Sequence, residues 1–274
     1  MTDQVPSRGE YLLVRTMAES ERLETQYTAW QANIGYLFHP VIEQHDNMRI
    51  ADVGTGTGIW LRDLADALPN TCQLDGFDLS NIMFPSKDAL PANIAFHHQN
   101  LLLPFPDEYI GKYDVVNVRV MVVALSSNEW EPAPGGYLQW IDCAAHDCVI
   151  KGVPEGKQAS NAQRGLDLFR KTLNTLGKTS NIAILHSIFQ KSGLVSCEEE
   201  ICSLDNPETR ENVNLAVVVG IQHILTAAFK LHKLDEIQSI DQIMELKEAV
   251  LGDLHDMSCY FCYDVYVVVG RKLD

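Results

Sequence analysis

Residues 50–60 read IADVGTGTGIW: an apolar run, then glycine at 54, 56 and 58, then the first turn of a helix. Its apolar positions Leu61, Leu64, Ala65 and Leu68 fall at i, i+3, i+4 and i+7, and Pro69 stops it. A strand, a glycine turn and a helix are therefore predicted. Lacking a Cβ, the glycines allow positive φ and let the backbone approach a ligand beside a helix N-terminus. Working outward, QLDGFDLS (73–80), IAFHHQN (94–100), YDVVNVRVMVVAL (113–125) and GYLQWIDCAA (136–145) are predicted strands. Short apolar strands alternating with helices imply a parallel sheet covered on both faces.

Upstream of the glycines, Leu23, Tyr27, Trp30, Ile34 and Leu37 lie on one helical face, so the chain is expected to open with an amphipathic helix. Downstream, Leu166, Phe169, Leu173 and Leu176 mark a helix ending at Gly177, and Ile184, Leu185, Ile188 and Phe189 mark another ending near Gly193. LVSCEEEICSLD (194–205) and CYFCYDVYVVVGRKL (259–273) are predicted strands, separated by two helical stretches, NLAVVVGIQHILTAAFKL (214–231) and IDQIMELKEAVLGDL (240–254). The first of these is read as too short, and too polar at Gln222 and His223, to span a bilayer, so it should be buried against the rest of the molecule or a partner.

Composition narrows the function. With 274 residues, 46% hydrophobic and 21% charged, the chain can build a large core. Its net charge of −16 opposes phosphate backbones and anionic lipid, so no nucleic acid and no membrane partner is expected. The beginning, MTDQVPSRGE, lacks the charged and apolar regions of a secretory signal. Seven scattered cysteines read as reduced thiols, and a cytoplasmic setting follows. Cys259 and Cys262 form a CxxC in an apolar strand without a second ligand pair, and no metal is expected.

Three glycines alone are weak evidence. A dinucleotide fingerprint would read GxGxxG, whereas Ile59 stands where its third glycine belongs, which disfavours NAD and FAD. More specific is the company of the loop: Asp52 before it, Asp78 at the end of the second strand, and Asn100 with Leu101 after the third. A strand-end acid can accept both ribose hydroxyls. With these residues, from about residue 10 to 143, the chain resembles the class I S-adenosylmethionine-dependent methyltransferases. The wording IADVGTGTGIWLRDLADALP, QLDGFDLS, PFPDEYIGKYDVVNVR, WEP and PGGYLQW looks like the small-molecule methyltransferases of fungal secondary metabolism.

The resemblance implies a Rossmann-like α/β fold, with a seven-stranded, mostly parallel sheet and an antiparallel last strand. Residues 1–45 would form a helical cap, and 46–274 the cofactor domain with a helical insertion at 206–256. By the same resemblance Asp52, Gly54, Thr55 and Gly56 would hold the methionine end of S-adenosylmethionine, Asp78 the ribose, Leu79 the adenine face, and Asn100 and Leu101 the adenine edge. Asn100 replaces the acid more usual there, but an amide oxygen can still accept from the adenine amino group.

Arg119 and Asn117 end the fourth strand, where open α/β sheets place ligands; Arg119 is a substrate candidate or a structural salt bridge. Asp142 and His146, after strand five, are the candidate general bases, and His223, on the inserted helices, a substrate-binding candidate. Only SSNEWEPAPGG (126–136) joins strands four and five, too short for a parallel crossover. A missing mobile segment is favoured over a true deletion or a bare loop.

The expected acceptor is a hydrophobic small molecule, because the added helices are rich in Val, Leu, Ile and Phe. Two other functions stay open: a cyclase, pericyclase or dehydratase on the same fold, and a non-catalytic regulator. A homodimer through the helix 213–231 or the amino-terminal helix is also expected.

Overall fold

The computed structural model describes residues 17–121, 136–178 and 182–272. Among the described residues, nine strands form two sheets: β1 (Arg49–Val53), β2 (Gln73–Asp78), β3 (Ile94–His98), β4 (Val115–Arg119), β5 (Tyr137–Cys143), β6 (Val149–Lys151), β7 (Leu194–Ser203), β8 (Tyr260–Cys262) and β9 (Asp264–Lys272). The seven-stranded sheet has the order β3-β2-β1-β4-β5-β9-β7. Strand β9 runs antiparallel to both β5 and β7, while the other pairs are parallel. The expected class I architecture is therefore present. Strand order reverses between β1 and β4, and the crevice at the carboxyl ends of such neighbours is where doubly wound sheets bind ligands.

Helices α1 (Met17–Ile34), α2 (Ile59–Ala67), α3 (Ser160–Thr175), α4 (Leu185–Lys191), α5 (Arg210–Lys230) and α6 (Ile240–Met257) complete the fold. The expected helical stripe over-runs α1 by one turn. Gly35 takes φ +83° and ends the helix, and the Leu37 carbonyl instead accepts from Trp60 Nε1 and Gln139 Nε2. Helix α5 is, by length and composition, apolar enough to cross a membrane, contrary to the sequence reading. In the fold it packs against α1, α3 and α6.

Between β2 and β3, and between β3 and β4, the connections carry short 3₁₀ turns, Lys87–Ala89 and Asp107–Tyr109. Pro85, Pro91, Pro104 and Pro106 leave no run long enough for an α-helix. An aromatic group covers the sheet instead: Phe77 stacks on His97 at 4.9 Å and meets Phe105, Tyr109 and Tyr113 edge-on. The last predicted strand breaks at Tyr263, so that β8 pairs with β6 in a separate ribbon before β9 enters the main sheet. The short 126–136 crossover lies outside the described residues, Gly136 excepted.

Candidate functional site

The glycine loop is clamped by the end of the neighbouring strand. The Phe77 carbonyl accepts from the N–H groups of Gly54 (2.8 Å) and Thr55 (3.0 Å). One oxygen of Asp78 accepts from Gly56 N at 3.0 Å and the other from Ser80 N at 3.0 Å. Asp78 thus holds the loop in shape while bordering the space in front of it. Gly54, Gly56 and Gly58 take φ of 75°, 56° and 70°. At Gly58 conformation and space both require glycine, because a Cβ would stand 2.3 Å from Phe96 Cζ.

Behind the loop a polar chain crosses three strands. Asp52, Asn117 and Gln139 are register partners on β1, β4 and β5, each almost wholly buried. His39 N donates to Gln139 Oε1 (2.7 Å), Gln139 Nε2 to Asn117 Oδ1 (2.9 Å), and Asn117 Nδ2 to Asp52 Oδ1 (2.8 Å). The chain fixes both amides and delivers a donor to one carboxylate oxygen. Burial raises the Asp52 carboxyl above its ordinary range, against the opposing pull of Arg119, Asn117 and Thr55. Arg119 lies 3.8 Å from the other Asp52 oxygen, with its guanidinium 4.9 Å from the Tyr27 ring centroid and 5.7 Å from that of Trp60.

Two cavities adjoin this framework. The first, about 1150 Å³ with its open mouth, is lined by Gly54 to Thr57, Asp78, Leu79, Asn100, Leu101 and Arg119, and roofed by Leu23, Tyr27 and Trp30 of α1. The second, about 650 Å³ with its open mouth, lies among Leu166 and Phe169 of α3, Ala216, Val217, Gly220 and Ile224 of α5, and Cys143, Cys148 and Tyr263. Arg22 and Gln26, one residue round α1 from the first roof, border the second cavity. Val120 alone lines both among the described residues.

Burial pushes up the thiols of Cys143 and Cys148, the latter to about 12, and raises the Tyr263 phenol, whose oxygen accepts from Trp30 Nε1 at 2.9 Å. All three are protonated near neutrality.

The residues nominated from the sequence divide cleanly. Gly54, Thr55, Gly56, Asp78, Leu79, Asn100 and Leu101 come together around the first cavity, as does Arg119. Asp52 stands behind them. Asn100 has a local duty as well, its Oδ1 accepting from Leu102 N at 3.0 Å, which leaves the oxygen a second lone pair.

The candidate bases are not brought in. Asp142 is buried in the sheet, where its oxygens accept from Met121 N (2.7 Å), Cys143 N (2.9 Å) and Trp140 Nε1 (3.3 Å), so hydrogen bonds already occupy it. His146 sits on a 3₁₀ turn with Nε2 3.1 Å from Asn174 Oδ1, lining neither cavity. His223 also misses the cavities; its Nδ1 meets Glu19 Oε2 at 2.6 Å.

Glu19 in turn holds Arg22 through two hydrogen bonds, and Arg22 donates to Gln26 Oε1 at 2.9 Å. This polar stripe of α1 was not singled out in the sequence, although its spacing at 19, 22 and 26 shares one helical face.

No family model matches the chain. The methyltransferase grgD of a Penicillium species is 31% identical over an alignment of 297 positions that covers 99% of this chain and 100% of that protein. The N-methyltransferase tcpN of Claviceps purpurea is 28% identical over 68% of this chain and 69% of its own length. Among solved structures, a cyclopropane-fatty-acyl-phospholipid synthase-like protein from Lactobacillus casei matches with a TM-score of 0.52 at 12% identity, covering 93% of this chain and 94% of that one.

Proposed function

The chain belongs to the class I S-adenosylmethionine-dependent methyltransferases, and from that premise we propose that it methylates a hydrophobic small molecule. The observation that carries this reading is the meeting of a glycine-lined chamber bordered by Asp78, Asn100 and Arg119 with a more apolar chamber at, among the described residues, Val120.

The first chamber suits the cofactor in its unsatisfied atoms. Asp52 Oδ2, Thr55 Oγ1 and Arg119 Nε are buried and make no hydrogen bond of good geometry, although the Arg119 guanidinium faces Asp52 Oδ2 at 3.8 Å. An amino-acid group is their complement, an ammonium for the carboxylate and a carboxylate for the guanidinium and hydroxyl. Asp78 would then hold the ribose hydroxyls, Leu79 the adenine face, and Asn100 and Leu101 its edge. When bound, S-adenosylmethionine supplies a methyl group already activated by the sulfonium charge.

The protein's share of the work is alignment and exclusion of water. Helix α1 roofs both chambers, so one element covers the cofactor with Leu23, Tyr27 and Trp30 and faces the acceptor with Arg22 and Gln26. The apolar walls from α3 and α5 favour a hydrophobic acceptor, and Arg22 and Gln26 offer polar contacts at one end. The protonated Cys143, Cys148 and Tyr263 serve as wall and weak donors rather than as bases.

Calorimetric titration with S-adenosylmethionine and S-adenosylhomocysteine tests the reading, followed by mass-spectrometric detection of transfer from methyl-deuterated cofactor to a panel of apolar amines, phenols and thiols. Binding of both ligands at one site per chain is expected. A folded protein that binds neither would overturn the assignment.

A further inference from the structure

Val120 has a backbone φ of 56°, a left-handed conformation that a β-branched side chain adopts only under strain. It follows directly on β4 and borders both chambers. The surroundings hold it on either side. Its own N–H donates to the Ile141 carbonyl at 3.1 Å, and the next N–H, of Met121, donates to the buried Asp142 carboxylate at 2.7 Å. That carboxylate is itself fixed by Cys143 N at 2.9 Å. The Met121 thioether closes against the glycine loop, its Sδ lying 3.0 Å from where a Cβ on Gly54 would stand.

Glycine would adopt this backbone freely, yet the position holds an isopropyl group. Strain retained where two cavities meet points to the side chain itself as the useful part.

We propose that Val120 is the wall between the cofactor chamber and the acceptor chamber, a specificity-determining residue that sets how closely the acceptor atom approaches the methyl group. The proposal rests on the methyltransferase reading, for the chambers' roles follow from it. Asp142 is then a positioning residue: it pins the peptide that turns the Val120 side chain into the junction. Because the wall is a branched aliphatic group on a strained backbone, its size and direction are both fixed. Larger side chains would intrude on both ligands, and glycine would join the two spaces.

The test uses two probes on the full chain: S-adenosylhomocysteine by calorimetry, and N-phenyl-1-naphthylamine, a neutral apolar fluorophore, by fluorescence. In the wild type the two should bind independently, with saturation by one changing the other's Kd less than twofold. Val120→Phe should weaken both at least tenfold, whereas Asp78→Ala should weaken only the first. Val120→Gly should raise the urea midpoint, keep S-adenosylhomocysteine within threefold of wild type, and make the fluorophore at least fivefold weaker when that ligand is present.

A folded Val120→Phe protein that loses only one ligand or neither would overturn the wall. So would a Val120→Gly protein with a lowered midpoint or with probes that remain independent; if the phenylalanine variant does not fold, the glycine variant decides. Absence of S-adenosylhomocysteine binding in the wild type would instead remove the methyltransferase premise.

Discussion

The two chambers are built from different kinds of sequence. The first is made largely where strands end: the loop after β1, Asp78 at the end of β2, Asn100 after β3 and Arg119 at the end of β4. Its residues are short-range, and their roles depend on backbone N–H groups, positive φ and single carboxylates. The second draws on α1, α3, α5, the end of β5 and the residue between β8 and β9, elements spread over more than half the chain. Its character comes from packing. A site made from backbone geometry tolerates little variation in its residues, whereas one made from helix faces can change acceptor by exchanging apolar side chains.

The sharpest way to separate the chambers is Asp78→Ala. Loss of the carboxylate frees the N–H groups of Gly56 and Ser80 and would remove the proposed ribose acceptor. Calorimetry should show S-adenosylhomocysteine weakened about 100-fold, or roughly 3 kcal/mol, while N-phenyl-1-naphthylamine binding stays within about twofold. Equal loss of both ligands would mean the chambers are not independent.

Gly58→Ala probes the backbone side of the contrast. A Cβ there meets Phe96 and sits on a left-handed backbone, so urea denaturation should report a loss of about 2 kcal/mol. An unchanged midpoint would show that the loop shifts without cost.

The opposite chamber should behave otherwise. Gly220, on α5, has open space where a Cβ would go, so Gly220→Leu should fill the apolar cavity with no loss of stability. The fluorophore should weaken about tenfold, or about 1.4 kcal/mol, and the helix should gain up to about 1 kcal/mol from replacing glycine. S-adenosylhomocysteine affinity should not move.

The smallest effect concerns the helix that roofs both. Burial pushes the Glu19 carboxyl up, but hydrogen bonds and charges from His223 and Arg22 outweigh it, and the net position lies below the ordinary 4.5. A depressed folded value stabilises the protein above the unfolded value, and that contribution is lost as pH falls through the folded one. Urea midpoints measured on acidification below about pH 4.5 should therefore decline, with a shallower slope in Glu19→Gln. Identical slopes would remove Glu19 from the link between α1 and α5.

The same contrast explains what could be read from the sequence. The glycines and Asp78 were legible because their spacing follows strand and turn lengths, and Asn100 and Leu101 through the family resemblance. The stripe Leu23, Tyr27 and Trp30 was legible as a buried face, but nothing local says that part of this face looks into a cavity. Asp142 and His146 were nominated because they end or follow a strand. Hydrogen bonds to Met121 and Cys143 occupy the first, and Asn174 holds the second away from both chambers. Val120 gave no signal, since in sequence it is one more valine in an apolar run; its meaning lies in φ and in what stands on either side.

A crystal structure of the complex with S-adenosylhomocysteine tests the central claim most directly. The account predicts the ribose hydroxyls on Asp78, the amino-acid group among Asp52, Thr55 and Arg119, and the sulfur facing Val120 with the apolar chamber beyond it. A ligand bound outside the glycine loop, or one whose sulfur turns away from Val120, would contradict it.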